Sequence, residues 1–366
     1  QSLTTVWEME QQLLPILIKM RQRGVRVQVE KAEALRKEMM HQEKEILRDI
    51  QKETGVEIDI WAPRQIAKAF DKLKLDYPRT EKTKEPSFTQ NWLINNKNKI
   101  AQLIVSAREI NKFHGTFLTS IMKYQVNGRI HGEINQLRSD NGGTVSGRLS
   151  MSNPNLQQIP ARNKEFGPKI RGLFIPEEGY QWGSFDYSQQ EPRLVAHYAA
   201  LHKFPSVNDV IDSYENDTST DFHQVVADMA KIPRSQAKVI NLGLFYGMGK
   251  AKLQAELGVS KEKAAELFET YHAKVPFVKQ LTNSASNRAQ ERGQIRTLLG
   301  RLCRFHLWEP NQFGIHKALP HDAALLEHGP GIKRAYTYKA LNKLIQGSAA
   351  DMTKKAMIEL HKQGIV

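Results

Sequence analysis

The sequence predicts an α+β fold in which a small sheet lies between two helical regions. Apolar residues recur at helical spacing over about the first 125 positions. Short apolar runs then alternate with glycine, proline, asparagine and serine over residues 129–189, and helical spacing returns from Glu191. This order predicts an α+β core interrupted by a helical subdomain. A chain of 366 residues is long enough for two or three domains.

The first region is predicted to be mostly helical. One amphipathic helix ends before Gly24 and a second ends before Gly55, and glycine is typical just after a helix. Segment 80–87 is polar and contains proline, which predicts a loop, and residues 100–124 predict another helix. The apolar positions of the first two helices are Trp7, Leu13, Leu14, Leu17, Met20, Leu35, Met39, Ile46 and Ile50.

The middle of the chain is predicted to supply the strands. The apolar runs are residues 130–134, 173–175 and 180–185, and the last of these is rich in aromatic residues. We expect segment 180–185 to be a buried strand that delivers Asp186 to the edge of a sheet. Helices follow from 191 to about 290, with a loop-rich segment at 301–330 and a last helix at about 349–363.

The charge of the chain favours a polyanionic partner. The net charge is +14, and Lys and Arg side chains gain affinity by releasing counterions from phosphates. From charge alone, a basic protein that binds no polyanion is an equally good interpretation. The single cysteine, Cys303, excludes a disulfide framework and indicates a reducing compartment. No apolar run reaches the roughly 18 residues that a membrane span needs.

Two segments carry the candidate chemistry. Asp186 follows the apolar run and can bind a metal ion through its carboxylate. The second segment places four side chains on one face of a helix, because they are spaced four residues apart: Arg234, Lys238, Leu242 and Tyr246. A metal-binding acid, two cations and an aromatic ring are the groups needed to handle a nucleoside triphosphate.

Five segments, in order along the chain, resemble the motifs of family A DNA polymerases, the bacterial polymerase I and phage replicative type. They are Gly147-Arg148-Leu149-Ser150, PNLQQIP from Pro154, DYSQQEPR from Asp186, RSQAKVINLGLFYG from Arg234 and QGSAAD from Gln346. The resemblance implies a right-hand architecture with helical thumb and fingers around a small antiparallel palm sheet. It implies a thumb at 1–125, the first part of the palm at 126–215, fingers at 216–345 and a truncated return to the palm at 346–366.

The resemblance implies template-directed addition of deoxynucleotides to a primer 3′ end by two-metal nucleotidyl transfer. Asp186, with the main chain of Tyr187, would hold two Mg²⁺ ions. Arg234 and Lys238 would clamp the triphosphate, and Lys238 would also protonate the leaving pyrophosphate. The catalytic residues are therefore expected to be Asp186, Arg234 and Lys238.

Further residues are implied to bind the nucleotide and the DNA. His223 matches the family's triphosphate-contacting histidine, although a lone histidine is usually structural. Glu191 would exclude a ribose 2′-hydroxyl, and Tyr246 would stack at the templating position. The nucleotide-binding residues are expected to be Gln189, Glu191, His223, Arg234, Lys238, Leu242 and Tyr246, and the DNA-binding residues Arg148, Asn155, Gln157, Gln158, Asn342 and Gln346. In the minor groove, side-chain donors find acceptors at every base pair.

Two departures from the family pattern stand out. Leu242 replaces an aromatic residue that usually contacts the incoming nucleotide. The family's second catalytic aspartate lies in a His-Asp-Glu turn beyond Asp351, after the end of this sequence, and Asp351 itself is not expected to replace it. Both ends of the chain look cut. We therefore expect this chain alone to be inactive or nearly so, unless a second polypeptide completes the palm.

Two alternatives remain open at this point. A single-subunit RNA polymerase shares the acid and the cationic helix but would need a small residue in place of Glu191. A catalytically incomplete DNA-binding fragment would bind primer-template DNA without turnover. For the polymerase, the expected partners are primer-template DNA and deoxynucleoside triphosphates, and the expected compartment is the cytoplasm of a bacterium or of a phage-infected host.

Overall fold

The fold is α+β, as predicted. A computed structural model describes residues 3–140, 142–161, 163–205, 207–217, 219–245, 248–312, 314 and 316–365. Its helices are α1 Thr4–Arg23, α2 Val29–Thr54, α3 Pro63–Lys72, α4 Gln90–Asn95, α5 Lys99–Lys112, α6 Thr119–Tyr124, α7 Phe166–Arg171, α8 Gln190–Leu201, α9 Asn208–Asn216, α10 Phe222–Ala230, α11 Arg234–Phe245, α12 Lys250–Leu257, α13 Lys261–Lys274, α14 Pro276–Arg292, α15 His321–His328 and α16 Ala340–Lys362.

The strands are short. They are β1 Val25–Val27, β2 Gln125–Val126, β3 Arg129–Ile130, β4 Glu133–Asn135, β5 Ser150–Ser152, β6 Phe174–Ile175, β7 Gln294–Arg296, β8 Leu302–Arg304, β9 Leu307–Pro310, β10 Leu319–Pro320 and β11 Ile332–Arg334. The chain divides into two compact units. The first unit contains the described residues up to Ile18, Asn135–Ser150 and the described residues from Ser184 onward, and the second contains Lys19–Ile134 and Met151–Gly183.

Glycines end the first two helices where the sequence predicted. Gly24 follows α1 with φ +65°, and Gly55 follows α2 in the left-handed conformation with its N–H bonded to the Gln51 carbonyl. Positive φ costs glycine little, because it has no Cβ atom. The helix predicted over 100–124 is also present. It continues from α5 through a π-helical turn, Phe113–Leu118, into α6.

The second unit is built on an antiparallel sheet and two apolar clusters. The strand order is β2-β3-β1-β6, with Val25 opposite Ile130 and Val27 opposite Phe174. Met39 of α2 is buried in the cluster next to this sheet. Another cluster centres on Phe70 of α3, whose ring lies 5.0 Å from that of Phe88. Burial of such aromatic side chains is a large share of the core's hydrophobic stabilisation.

The core of the first unit lies among helices. It contains residues of α8, α10, α11, α13, α14 and α16, with Phe222, Tyr271 and Phe277 fully buried. Beside these helices, β7 and β8 form a hairpin that pairs Ile295 with Cys303. The strands β10, β9 and β11 form a separate antiparallel sheet. This packing fixes α10 and α11, which carry most of the predicted nucleotide-binding residues.

Three predictions about the elements need correction. Segment 180–185 is not a strand, and its Tyr180, Trp182 and Phe185 side chains are exposed. An apolar run forms a strand only where another strand satisfies its backbone groups, and none of the described residues pairs with this segment. The last helix begins at Ala340 rather than near 349, and the loop-rich segment 301–330 contains β8, β9, β10 and α15.

Among the described helices, none is long and apolar enough to cross a membrane.

A buried cluster of charges connects separate segments of the first unit. Lys354 of α16 lies 2.8 Å from the Glu10 carboxylate, and Arg301 pairs with Glu10 and, at 2.7 Å, with Asp351. Gln136 donates to the Glu10 carbonyl oxygen at 2.8 Å. Burial alone would raise the pKa of Glu10, but hydrogen bonds from Lys354, Arg301 and Gln136 outweigh it and lower the pKa.

Burial lowers the pKa of Lys354, and the bonds to Glu10 only partly offset this effect. The two partners therefore differ: the cluster favours the charge on Glu10 and disfavours the charge on Lys354. Such clusters add little net stability to a protein compared with apolar packing. Removing one partner, however, strongly destabilises the folded protein. We therefore expect the loss of any one of these charged groups to lower the free energy of unfolding, because the others would be left buried without a partner.

Glu10→Gln should reduce the free energy of unfolding by about 3 kcal/mol at neutral pH, because it leaves two buried cations short of one negative charge. Because the pKa of Glu10 is lowered on folding, its contribution is present above the ordinary value of 4.5 and is lost as the pH falls through the folded value. The difference in the free energy of unfolding between the variant and the parent should therefore become smaller in acid. Urea unfolding at several pH values measures this difference. Glu359→Gln, which removes an exposed partner of Lys362, is the control and should cost less than about 1 kcal/mol.

Candidate active site

Helix α11 has an exposed cationic face and a buried face. Arg234 and Lys238, one turn apart, are exposed, whereas Ala237, Ile240 and Asn241 are buried in the first unit. The helical repeat produces this division, since positions three and four apart share a face. The structure thus brings two predicted triphosphate-binding cations together on a helix that the core holds in place.

Arg234 has a carboxylate partner at the start of α10. Its Nε donates to Oδ2 of Asp221 at 2.6 Å, and Oδ1 of Asp221 accepts the backbone N–H of His223 at 2.9 Å, which caps α10. Burial opposes the charge on Asp221, but the hydrogen bonds from Arg234 and His223 outweigh it and lower the pKa of Asp221. Sequence reasoning missed Asp221, although it lies two residues before a predicted site residue and is a typical N-cap.

His223 lies on α10 with only 8% of its surface exposed. Burial lowers its pKa; the positive charges of Arg234 and Lys238 act in the same direction, and Asp221 opposes them. Nδ1 of the ring lies 3.0 Å from Nδ2 of Asn241. The imidazole is therefore neutral at neutral pH, and it contacts Asn241 of α11 while feeling the charges of Arg234 and Lys238 on the same helix.

Asp186 lies in an exposed, irregular segment rather than at the end of a buried strand. Tyr187 beside it is also exposed, and no hydrogen bond or ion pair involves Asp186 within the described part of the chain. The described residues hold no group of three or more His, Cys, Asp or Glu side chains arranged for a metal ion. An accessible carboxylate nevertheless suits Mg²⁺, which binds through one or two carboxylates together with phosphate oxygens and waters. The metal assignment stays a prediction.

The amide of Gln189 is used within the protein. Gln189 has φ +53° at the start of α8, and its Nε2 donates to the Thr220 carbonyl oxygen at 2.7 Å. Its Oε1 accepts the backbone N–H of Phe222 at 2.6 Å. These bonds join the start of α8 to the loop before α10. The predicted contact between Gln189 and a nucleotide is untested, and the side chain has a structural role in any case.

Glu191 lies in the first turn of α8, where the helix dipole favours an acid. Its side chain is largely buried, and its Oε1 lies 3.5 Å from Nη1 of Arg148, which is exposed. The structure thus brings together the predicted sugar-selecting acid and a predicted DNA-binding cation.

Leu242 is half-buried on α11, and Tyr246 lies outside the described residues.

The remaining predicted DNA-binding residues lie in two places. Asn342 and Gln346 are four residues apart on α16 of the first unit, and both are half-buried. Asn155, Gln157 and Gln158 belong to the second unit. There Oδ1 of Asn155 accepts the backbone N–H of Gln157 at 3.1 Å and begins a short 3₁₀ turn, while Gln157 and Gln158 are exposed. Asn155 therefore has the turn role typical of asparagine.

Asp351, on α16, belongs to the buried cluster of charges. It is fully buried, its Oδ1 accepts from Arg301 at 2.7 Å and its Oδ2 accepts from Thr297 at 2.5 Å. Both carboxylate oxygens are therefore engaged. That Asp351 does not replace a second catalytic acid stays a prediction.

The sequence model that describes the protein family DNA polymerase family A matches residues 29–364 of this chain. The chain is 36% identical to the DNA-directed DNA polymerase of Pseudomonas phage M6 over 416 aligned positions, covering 100% of this chain and 59% of the relative. It is 33% identical to DNA polymerase I of Geobacillus stearothermophilus over 96% of this chain and 38% of the relative. The chain therefore spans 59% or less of the length of these two relatives.

Among solved structures, the chain is similar to the POL domain of Pol1 from M. smegmatis in a complex with DNA primer-template and dNTP. The TM-score is 0.77 and the sequence identity 27%, and the match covers 97% of this chain and 60% of that chain. This similarity extends over the helices and small antiparallel sheets described above.

Asp221→Asn should lower the pKa of His223 further, because the Asp221 carboxylate opposes the effects of burial and of the two cations. Asparagine also caps helices well, so α10 should persist. An NMR titration of the histidine ring resonances measures the shift, with His223 assigned from its absence in His223→Gln. Asp217→Asn is the control, since Asp217 bonds to Ser219 and is not among the charges that act on His223. An unchanged or raised pKa in Asp221→Asn would contradict the prediction.

Proposed function

This chain belongs to DNA polymerase family A, as its five motifs predicted, and from that membership we propose that the protein containing it is a DNA-directed DNA polymerase. It adds deoxynucleotides to the 3′ end of a primer on a DNA template. The observation that carries the proposal is the exposed pair Arg234 and Lys238 beside the neutral His223. The three residues lie on α10 and α11, helices that belong to the core of the first unit, and the charges of Arg234 and Lys238 act on the His223 ring.

The triphosphate binds at this set of donors. A guanidinium can make two parallel hydrogen bonds to phosphate oxygens, and an ammonium adds a concentrated charge. Arg234 exchanges the Asp221 carboxylate for a phosphate oxygen or shares its N–H groups between the two. Lys238, one turn further along α11, lies close to the leaving pyrophosphate, stabilises its developing charge and donates a proton to it.

Asp186 is the proposed metal ligand, together with the main-chain oxygen of Tyr187. Its carboxylate is accessible and has no partner among the described residues. When bound by these residues, two Mg²⁺ ions would supply activation of the primer hydroxyl and charge stabilisation at the leaving oxygen. The protein's own contribution is to align the two reactants and to exclude other geometries.

Glu191 selects the sugar. Its half-buried position at the start of α8 and its ion pair with Arg148 restrict where the carboxylate can move. A carboxylate fixed under the sugar leaves no room for a 2′-hydroxyl. Leu242, four residues after Lys238, contacts the sugar and base through an aliphatic surface, and Gln189 and Tyr246 complete the nucleotide pocket.

The duplex binds along side-chain donors and the basic surface. Minor-groove acceptors, which every base pair provides, are bound in the first unit by Arg148, Asn342 and Gln346. For the second unit taken by itself, we assign the same kind of contact to Asn155, Gln157 and Gln158. The net charge of +14 supports a contribution from phosphate contacts. We assign thumb, palm, fingers and returning palm to residues 1–125, 126–215, 216–345 and 346–366. We assign this activity to the cytoplasm of a bacterium or of a phage-infected host, and the phage and bacterial relatives support this assignment.

Asp186→Ala, made in the protein that contains this chain, should reduce primer extension by at least about a thousandfold. That factor corresponds to about 4 kcal/mol of lost transition-state stabilisation. Primer-template affinity should change little, because the carboxylate serves metal ions rather than DNA. Single-turnover extension and a filter-binding or anisotropy titration measure the two quantities. The matched control is Asp322→Ala on the exposed surface of α15, and extension at parental rates by Asp186→Ala would remove Asp186 from the catalytic set.

Glu191→Ala should raise kcat/KM for ribonucleotides relative to deoxynucleotides by at least about tenfold, about 1.4 kcal/mol. The reason is that alanine leaves space for the 2′-hydroxyl. Arg148 is exposed and can be hydrated after its partner is removed, so folding should be retained. Glu215→Ala on the exposed surface of α9 is the matched control. A parent that already prefers ribonucleotides would favour the RNA polymerase alternative, and unchanged selectivity in the variant would place the selecting residue elsewhere.

A further inference from the structure

Three buried side chains from three helices form a chain of hydrogen bonds that ends at His223. Tyr271 of α13 bonds through its hydroxyl to Oδ1 of Asn241 on α11, and Nδ2 of Asn241 lies 3.0 Å from Nδ1 of His223 on α10. Tyr271 and Asn241 have no solvent exposure, and His223 has 8%. Neither Tyr271 nor Asn241 is among the residues that the proposed function uses.

The direction of this chain follows from the single hydrogen of the Tyr271 hydroxyl. Burial raises the pKa of Tyr271, so the hydroxyl keeps its proton. Within the described part of the chain, Oδ1 of Asn241 is the hydroxyl's hydrogen-bond partner. If the amide were turned around, its Nδ2 would face the hydroxyl, and the buried hydroxyl hydrogen would have no acceptor there. An unsatisfied buried donor is costly, so the hydroxyl donates to Oδ1.

With Oδ1 engaged by Tyr271, the amide nitrogen of Asn241 faces His223. Nδ2 carries hydrogens and cannot accept, so Nδ1 of the imidazole must be the acceptor. A neutral imidazole carries one ring hydrogen, which is therefore on Nε2. In the described structure no hydrogen bond involves Nε2 of His223, so this nitrogen is available to a ligand.

We propose that Tyr271 and Asn241 are positioning residues that hold His223 in its Nε2–H tautomer, so that Nε2 donates a hydrogen bond to an oxygen of the nucleoside triphosphate. This inference rests on the proposed function, because the triphosphate is the ligand that it assigns. The opposite tautomer would direct a lone pair at an anionic oxygen, which is repulsive.

The charges around His223 make a neutral donor useful. Arg234 and Lys238 act on the ring from α11, and Asp221 acts on it from the start of α10. An imidazolium would add a third cation beside Arg234 and Lys238 when no nucleotide is bound, and their repulsion would disfavour the site. A neutral ring fixed as a donor contributes a directed hydrogen bond without that repulsion.

The tautomer can be read directly from ¹⁵N NMR of the ring nitrogens in the protein that contains this chain, without nucleotide. His223 is assigned from its absence in His223→Gln. The parent should show a protonated Nε2 and an unprotonated Nδ1. In Asn241→Asp the carboxylate accepts from Nδ1–H, so Nδ1 should become protonated, either as the other tautomer or as the imidazolium. Tyr271→Phe frees the amide to rotate and should give a mixture of tautomers.

The same variants should weaken use of deoxynucleoside triphosphates in primer extension. We expect KM to rise about tenfold in Asn241→Asp if the ring nitrogens show the neutral Nδ1–H tautomer, and several-fold in Tyr271→Phe. If they show the imidazolium, Nε2 keeps its hydrogen and KM should not rise. Tyr198→Phe is the matched control, because Tyr198 is also buried and its hydroxyl bonds to Ser348, away from His223. It should leave both the ring nitrogens and KM unchanged, which separates a loss of buried hydroxyl from a change of tautomer.

Three outcomes would overturn the proposal. A protonated Nδ1 in the parent would refute the tautomer assignment whatever the activity. Unchanged ring nitrogens in Tyr271→Phe would refute the role of the hydroxyl, and this variant decides the matter if Asn241→Asp does not fold. An unchanged KM in His223→Ala, with the tautomer as described, would refute the triphosphate as the ligand. Extension of primers by the parent, which the inference does not affect, tests the proposed function separately.

Discussion

The two faces of α11 depend on a single geometric constraint, the helical repeat of 3.6 residues per turn. It separates the exposed Arg234 and Lys238 from Ala237, Ile240 and Asn241, which are buried. A change that rotates this helix would therefore disturb the core and the cationic face together. Because a close-packed interior resists small displacements, the proposed triphosphate site is held as rigidly as the core beneath it.

The degree of burial decides how each charged group is compensated. In the interior, Glu10, Arg301, Asp351 and Lys354 neutralise one another, since an unpaired charge there would cost several kcal/mol. On the surface of α11, Arg234 pairs with the carboxylate of Asp221, and Lys238 adds a second positive charge one turn away. Solvent makes that excess positive charge tolerable, and the same excess attracts an anionic ligand. The distribution of charge thus distinguishes the buried cluster, whose charges neutralise one another, from the proposed binding site.

The sequence predicted those features that local chemistry decides, and missed those that depend on distant partners. Gly24 and Gly55 end helices because glycine readily takes positive φ, and the spacing of four in α11 predicted its cationic face. The prediction of a strand at 180–185 was wrong, because apolar composition cannot show whether a partner strand exists. The bonds of Gln189 to Thr220 and of Asn241 to Tyr271 join residues about 30 positions apart, and no local pattern indicates them.

The polar chain from Tyr271 to His223 is difficult to explain by stability alone. Each polar atom taken into the interior loses its hydration, and a satisfied buried hydrogen bond returns only about 1 kcal/mol net. Apolar side chains of similar volume at 241 and 271 would fill the same space without that loss of hydration. What apolar residues cannot do is choose which nitrogen of an imidazole carries the proton. The position of Asn241 between the rings of Tyr271 and His223 is therefore accounted for by the tautomer that it imposes on His223, on the helix that also carries Arg234 and Lys238.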